Sequence, residues 1–99
     1  MWAQLIKAQI KPGKAHELDE LYREVDSRMS RDSGWVRSLS LRNSKNGQEL
    51  YAVVVFDSQE KARAYEQSPE QAELTSRLGD LMDGPPEFVD FDEVTEYAP

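Results

Sequence analysis

Apolar and polar residues alternate along residues 2–10, which is the period of a β-strand. One face of this predicted strand carries Trp2, Gln4, Ile6, Ala8 and Ile10. The other face carries Ala3 and Leu5, so both faces are partly apolar and the strand is predicted to lie inside a sheet. Lys11-Pro12-Gly13 predicts its end, because proline and glycine favour turns.

Residues 14–31 carry apolar side chains at spacings of three and four, which is typical of a helix that buries one face. The apolar stripe consists of Ala15, Leu18, Leu21, Tyr22, Val25 and Met29. Asp32-Ser33-Gly34 predicts the end of the helix, since glycine adopts positive φ without steric cost.

Two strands, at 35–43 and 49–56, are predicted to form a hairpin around Asn46-Gly47, because both residues of that pair tolerate positive φ. The run from Leu50 to Phe56 is apolar on both faces. Such a strand must be covered on both sides.

Two further helices and a final strand complete the pattern. Asp57-Ser58-Gln59-Glu60 predicts the start of a short helix that ends near Glu66. Ser68 and Pro69 are typical of the first positions of a second helix, which is predicted to reach about Met82. Its predicted buried stripe is Ala72, Thr75, Leu78, Leu81 and Met82. Asp83-Gly84-Pro85-Pro86 ends it, and residues 87–97 are predicted to form the last strand.

The order β-α-β-β-α-β predicts an α+β, ferredoxin-like fold in one domain spanning residues 1–99. Its four-stranded antiparallel sheet would carry the helices on one face. The apolar residues on the opposite face then lack a cover within the chain, and such surfaces usually mark an interface. A second copy of the chain is the simplest cover, so we expect a homodimer whose sheets face each other as a barrel.

Charge and composition narrow the classes of function. The net charge is −7, and residues 57–99 carry three Lys or Arg against twelve Asp or Glu, which opposes nucleic-acid binding. Cysteine is absent, so no disulfide or thiolate metal site is expected. No stretch is apolar enough to span a membrane and no nucleotide-binding motif occurs, so a cytoplasmic protein without a cofactor is expected.

Several short motifs resemble those of one known family. They are Ile10-Lys11-Pro12-Gly13-Lys14, Gly34-Trp35, the run from Val55 to Ala62, Tyr65-Glu66-Gln67-Ser68-Pro69, and Gly84-Pro85-Pro86. In these motifs the chain resembles the antibiotic biosynthesis monooxygenase (ABM) family. The resemblance implies a dimeric α/β barrel with a pocket between the helices and the sheet of each protomer. Family members include cofactor-independent monooxygenases acting on aromatic polyketides or quinols, haem-degrading enzymes, and proteins without an assigned activity.

The haem-degrading branch of that family uses a strand Asn, a helical Trp and a His. The corresponding positions here fall near Ile6 or Lys7, on Tyr65 and on Thr75. The polar strand residue and the iron ligand are therefore missing, which argues against haem degradation.

Six residues are predicted to contact a substrate: Gln4, Tyr22, Met29, Trp35, Tyr65 and Thr75. Tyr65 is the best catalytic candidate, because a ring with a polar tip suits an aromatic substrate. No metal ligand set is recognised, and the single histidine, His16, is interpreted as a solvated residue at a helix end. Arg37 and Arg42 could hold a substrate anion, but pairing with Asp90, Asp92 or Glu93 is favoured.

These observations favour a cofactor-independent monooxygenase acting on a small aromatic substrate. A non-catalytic dimeric module that binds a small ligand remains the alternative. Haem degradation, and an isomerase or lyase activity on a small metabolite, are weaker hypotheses because no residue pattern supports them.

Overall fold

Four strands and three helices follow one another in the computed structural model, which describes residues 1–29 and 31–99. The elements are β1 (Trp2–Gln9), α1 (Ala15–Ser27), a 3₁₀ turn (Arg31–Ser33), β2 (Trp35–Arg42), β3 (Glu49–Phe56), α2 (Gln59–Glu66), α3 (Pro69–Gly79) and β4 (Glu87–Phe91). The strands pair antiparallel in the order β2-β3-β1-β4. This is the predicted α+β ferredoxin-like fold.

The helices pack on the face of the sheet that carries Trp2 and Ile10, called here the inner face. Two clusters of buried side chains hold the two layers together. The larger contains Ile10, Leu18, Leu21, Val25, Leu50, Leu74 and Leu81, and the smaller contains Trp2, Phe56 and Ala62. Each cluster joins strand residues to helix residues, so burial of apolar surface fixes the helices on the sheet.

Serine caps begin the two later helices, as predicted. The Ser58 hydroxyl accepts a hydrogen bond from the Lys61 backbone N–H at 3.2 Å. The Ser68 hydroxyl accepts one from the Gln71 N–H at 3.2 Å, and Pro69 occupies the first helical position. Each cap satisfies a backbone donor that has no partner within the helix.

Helix α1 ends at Ser27, before the predicted limit at residue 31; residue 30 lies outside the described part of the chain. The Ser27 hydroxyl donates to the Glu24 carbonyl at 2.7 Å, and the Arg28 N–H donates to the Val25 carbonyl at 3.0 Å. Bonds to a residue three positions back tighten the last turn and close the helix.

Helix α3 ends at Gly79, three residues before the predicted limit at Met82. The backbone of the following residues pairs with the end of β1 instead: the Lys11 N–H donates to the Leu81 carbonyl at 2.9 Å. The predicted stripe of α3 was also wrong in two positions. Ala72 and Thr75 are exposed, and Leu74 is the buried residue of this helix.

Strand β4 stops at Phe91, although the prediction continued it to residue 97. Its pairing with β1 ends at the pair Phe91–Ala3, one residue from the first residue of β1, Trp2. Glu96 instead forms an ion pair with Arg37 on β2, so the C-terminal segment crosses back to the opposite edge of the sheet.

The outer face of the sheet carries an apolar row that crosses all four strands. The strand registers align Leu39, Val53, Leu5 and Val89 in this order from edge to edge. Leu39 is 52% exposed and Val89 is 48% exposed. The single chain leaves this row partly open, whereas Ala3 and Val55 on the same face are buried. Within the described residues, no helix is both long and apolar enough to cross a membrane.

The fold makes a prediction about two glycines with positive φ. A Cβ at Gly34 (φ +82°) would lie 2.8 Å from Lys61 Cβ, whereas a Cβ at Gly13 (φ +79°) would meet nothing within 4 Å. We expect Gly13→Ala to cost about 1–2 kcal/mol through backbone strain alone, and Gly34→Ala to cost at least about 1 kcal/mol more through the clash. Urea unfolding measures both.

The added variant Gly34→Ala/Lys61→Ala keeps the strain and removes most of the colliding side chain. It should recover part of the loss of Gly34→Ala. Equal stability of the Gly13→Ala and Gly34→Ala variants would show that the close approach of Lys61 on α2 does not restrict which residue can occupy position 34.

Candidate functional site

A cavity of about 360 Å³ lies between the helices and the inner face of the sheet. Its floor is formed by β1 and β3, and its roof by α1, α2 and α3. Apolar side chains from both core clusters form most of its wall. The volume falls at the lower end of the range of about 300–1,000 Å³ that is typical of small-molecule sites.

All six residues predicted to contact a substrate line this cavity. Five of them come from five different elements, Gln4 from β1, Tyr22 from α1, Trp35 from β2, Tyr65 from α2 and Thr75 from α3, and Met29 lies just after α1. The fold therefore brings the six together. Their roles in binding remain predictions.

Aromatic rings surround the end of the cavity near α2. The rings of Phe56 and Tyr65 lie 5.6 Å apart and are tilted by 37°. The Trp35 indole N–H donates to the Ser38 hydroxyl at 2.8 Å, which fixes the ring against the cavity. Trp2 also lines this end and was not predicted as a site residue, although its place on the inner face of β1 was a signal for it.

A polar network extends from Gln4 in the cavity wall to Asp90 on β4 and Arg63 on α2. The Gln4 amide donates to Asp90 Oδ1 at 2.9 Å, and Arg63 donates to Asp90 Oδ2 at 3.1 Å. The hydrogen bond from Gln4 and then the bond from Arg63 lower the pKa of Asp90. The Arg63 guanidinium also lies 5.2 Å from the centre of the Trp2 ring and pairs with Glu66 at 2.8 Å.

Neither predicted substrate-anion arginine lines the cavity. Arg37 pairs with Glu96, and Arg42 lies 3.6 Å from Asp19. Pairing was predicted correctly, but the partners were not: Glu96 belongs to the C-terminal segment that follows the early end of β4, and Asp19 lies on α1.

Two tyrosines, Tyr22 and Tyr65, and two carboxyl groups, those of Asp26 and Glu66, form the titratable part of the roof. Burial, with smaller contributions from Asp26 and Tyr65, raises the pKa of Tyr22 to about 12. Burial, followed by Asp26 and Glu70, also raises the pKa of Tyr65. Both phenols are therefore neutral at neutral pH and can donate hydrogen bonds to an anion in the cavity. A raised pKa makes Tyr65 a poor proton acceptor.

Asp26 is the cavity residue that the sequence interpretation missed most clearly. It lies on α1 four residues after Tyr22, and it is half-buried. Burial raises the pKa of its carboxyl group. A signal was present, since a polar residue between Val25 and Met29 stands on the apolar stripe of the helix.

His16 lies outside the cavity, as its interpretation as a solvated residue implies. Its ring is exposed, and Nε2 lies 3.0 Å from a Glu20 carboxylate oxygen. Among residues 1–29 and 31–99, no group of three or more His, Cys, Asp or Glu side chains is placed to hold a metal ion.

A protein-family model described as antibiotic biosynthesis monooxygenase matches residues 1–76. The chain belongs to the antibiotic biosynthesis monooxygenase family. The resemblance noted from its turns and caps is thereby confirmed. A search of curated proteins found no match.

Solved structures of similar fold cover nearly the whole ABM chain. SnoaB, a cofactor-independent oxygenase from Streptomyces nogalater, has a TM-score of 0.81 at 17% identity, over 96% of this chain and 94% of its own. A conserved protein from Methanosarcina mazei has a TM-score of 0.82 at 16% identity, over 95% and 94%. A protein from Mycobacterium tuberculosis has a TM-score of 0.80 at 15% identity, over 98% of each chain. Identities this low establish the shared fold alone.

The burial of Tyr22 predicts how the stability of this ABM protein changes with pH. Because the folded pKa of about 12 exceeds the usual 10.0, folding favours the neutral phenol. The stability that depends on this group is intact below pH 10 and falls, by roughly 2–3 kcal/mol, as the pH rises towards 12. Between pH 10 and pH 12 the free energy of unfolding should fall less steeply for Tyr22→Phe than for the unmodified chain.

The matched control is Tyr97→Phe, which alters an exposed tyrosine in the C-terminal segment. It should keep the steep loss of the unmodified chain. Parallel curves for the unmodified chain and for Tyr22→Phe would contradict the burial of this hydroxyl.

Proposed function

We propose that this chain is a cytoplasmic, homodimeric, cofactor-independent monooxygenase that acts on a small aromatic substrate of the polyketide or quinol type. The observation that carries the proposal is the cavity itself, whose wall is mainly apolar, contains several aromatic rings and has few polar side chains. Family membership and the fold shared with an oxygenase described as cofactor-independent add support.

The proposed chemistry uses the reactivity of the substrate. Loss of one proton leaves an electron-rich aromatic anion, which reduces dioxygen directly. The anion forms a carbon–oxygen bond with dioxygen and takes the proton back as a hydroperoxide. The O–O bond then breaks, one oxygen atom stays as a carbonyl oxygen, and the other leaves as water with that proton and the hydrogen of the same carbon. The protein then has three tasks: to hold the ring, to stabilise the anion and to exclude bulk water.

The residues of the cavity suit these tasks. Tyr22 and Tyr65 present neutral hydroxyls that can donate to a developing oxyanion. Trp2, Phe56 and Trp35 supply flat surfaces for a ring. Asp90 and Arg63 hold the Gln4 side chain in place at one side of the site.

The dimer is supported by the outer face of the sheet. The row Leu39, Val53, Leu5 and Val89 presents a continuous apolar strip that water would otherwise cover. A two-fold axis would set this strip against its own copy and remove both from water. The inner-face cavity would then remain separate in each protomer.

The alternative is a dimeric module that binds a small aromatic without turnover. The scarcity of titratable side chains in the cavity wall favours it, because few groups could move a proton. The two functions share a ligand class and differ in whether oxygen is consumed.

Oxygen uptake separates them. With anthrone or a hydroquinone and no added cofactor, we expect uptake that requires the protein, and Tyr65→Leu should lower kcat/KM by about tenfold or more, since it removes a ring and a hydroxyl from the wall. Tyr97→Leu, at a residue that is 89% exposed, should retain full activity.

Quenching of tryptophan fluorescence is the second readout, because both tryptophans line the cavity. Quenching by the aromatic without oxygen uptake would support the binding module and contradict the oxygenase. A Soret band on addition of haem would reopen haem degradation.

The dimer is tested separately on β2. Leu39→Asp places a carboxylate in the middle of the proposed interface, where an unpaired buried charge is costly, so we expect the dimer dissociation constant to rise by about 100-fold or more. Ser40→Asp, the next residue and on the opposite face, should leave it unchanged. Sedimentation equilibrium measures both, and a dimer unaffected by Leu39→Asp would contradict this interface.

A further inference from the structure

One carboxylate in the cavity wall stands apart from the others. Asp26 projects from α1 among apolar side chains, and it lines the same cavity as Tyr22 and Tyr65. It is half-buried, so part of its hydration is lost. A carboxylate in such a place usually has a partner, because burying an unpaired charge is costly.

The neighbouring carboxylates have such partners. Glu66, which also lines the cavity, accepts two hydrogen bonds from Arg63 at 2.8 and 3.1 Å. Asp90 is held by Arg63 and Gln4. Glu24, on the same helix as Asp26, lies 2.9 Å from Arg77. Each of these carboxylates is thus paired with an arginine that does not line the cavity.

The side chain of Asp26 makes no hydrogen bond or ion pair within residues 1–29 and 31–99. The titratable groups that line the cavity with it are Tyr22 and Tyr65, together with Glu66, which Arg63 neutralises. Glu70 acts on Tyr65 from outside this wall. Asp26 is thus an acceptor without a donor, directed towards a cavity whose tyrosines are both donors.

We propose that Asp26 is the catalytic base of this site and accepts the hydroxyl proton of a neutral hydroxyaromatic substrate. This inference rests on the proposed monooxygenase function, for which no base was identified. It narrows the substrate class to rings that carry an ionisable hydroxyl and no carboxylate at the position facing α1.

The proton transfer balances within the site. The substrate O–H bond breaks, and its electron pair stays on the ring as the phenolate. A new O–H bond forms on the Asp26 carboxylate, which becomes neutral and no longer repels the anion. The hydroxyls of Tyr22 and Tyr65 donate to the phenolate oxygen. Because burial already raises the pKa of Asp26, the proton transfer is less unfavourable than it would be to a solvated aspartate.

Asp26→Asn tests this role with the shape of the side chain preserved. The matched control is Asp19→Asn, the same change on the same helix at a residue that pairs with Arg42 outside the cavity. Asp26→Glu retains the carboxylate. Circular dichroism and the unfolding midpoint show whether each variant is folded.

The first readout is binding and needs no turnover. The probe is 4-nitrophenol, titrated by calorimetry on either side of its ionisation. The unmodified chain and Asp19→Asn should bind the neutral phenol about tenfold more tightly than the phenolate, because the Asp26 carboxylate accepts from the first and repels the second. In Asp26→Asn this preference should fall to about threefold or less, and in Asp26→Glu it should return.

The second readout is oxygen uptake with 1,4-dihydroxynaphthalene, which carries the ionisable hydroxyl that the proposal requires. Asp26→Asn should lower kcat by about 100-fold or more with a smaller change in KM, as expected when a general base is lost. It should also remove the acidic limb of the pH profile of kcat, which a merely structural role would not do.

The two proposals fail differently. Unchanged phenol preference and unchanged kcat in folded Asp26→Asn would overturn the role of Asp26 and leave the monooxygenase standing. Loss of phenol preference in Asp26→Asn without oxygen uptake by the unmodified chain would support Asp26 as the acceptor and overturn the monooxygenase.

Discussion

The structure depends on the pairing of β1 between β3 and β4. This central strand is apolar on both faces, so each face must be shielded from water. Three short helices shield the inner face, but they touch the sheet mainly at its two ends, through two separate clusters of buried side chains. The space left between the clusters is the cavity. The site is thus a consequence of how a small helical layer covers a four-stranded sheet.

The same constraint gives the two faces different roles. The inner face is covered by the helices and keeps a mainly apolar space of about 360 Å³, large enough for a small aromatic molecule. The outer face ends in an apolar row that the chain leaves exposed, and the C-terminal segment crosses the sheet to pair Glu96 with Arg37. Chemistry and association can therefore use opposite sides of one sheet without interfering with each other.

Local signals in the sequence predicted most of the fold. The caps at Ser58 and Ser68 and the apolar stripe of α1 act within a few residues, so they can be recognised without the tertiary structure. The extent of β4 could not be predicted in this way, because it depends on which residues of β1 the strand pairs with. The partner of Arg37 was not predicted because it depends on the path of the chain after Phe91, and the partner of Arg42 was not predicted because it depends on how α1 lies over the sheet. The six residues predicted to line the site could be recognised from the sequence. They are aromatic side chains, a methionine or polar side chains at positions predicted to face the inside of the fold. Asp26 stands on the apolar stripe of α1, which is a local signal, but its significance was not recognisable, because it depends on the lack of a cation beside it among the described residues.

The central claim is that the inner-face cavity is a binding site for an aromatic molecule. It is tested most directly by titrating the ¹⁵N-labelled protein with 1,4-dihydroxynaphthalene in the absence of oxygen and following its two tryptophan indole N–H signals. The account predicts that the signals of both Trp2 and Trp35 shift and saturate together, because both rings line the cavity. Saturable shifts confined to outer-face residues such as Leu39 and Val89, with both indole signals unmoved, would contradict it.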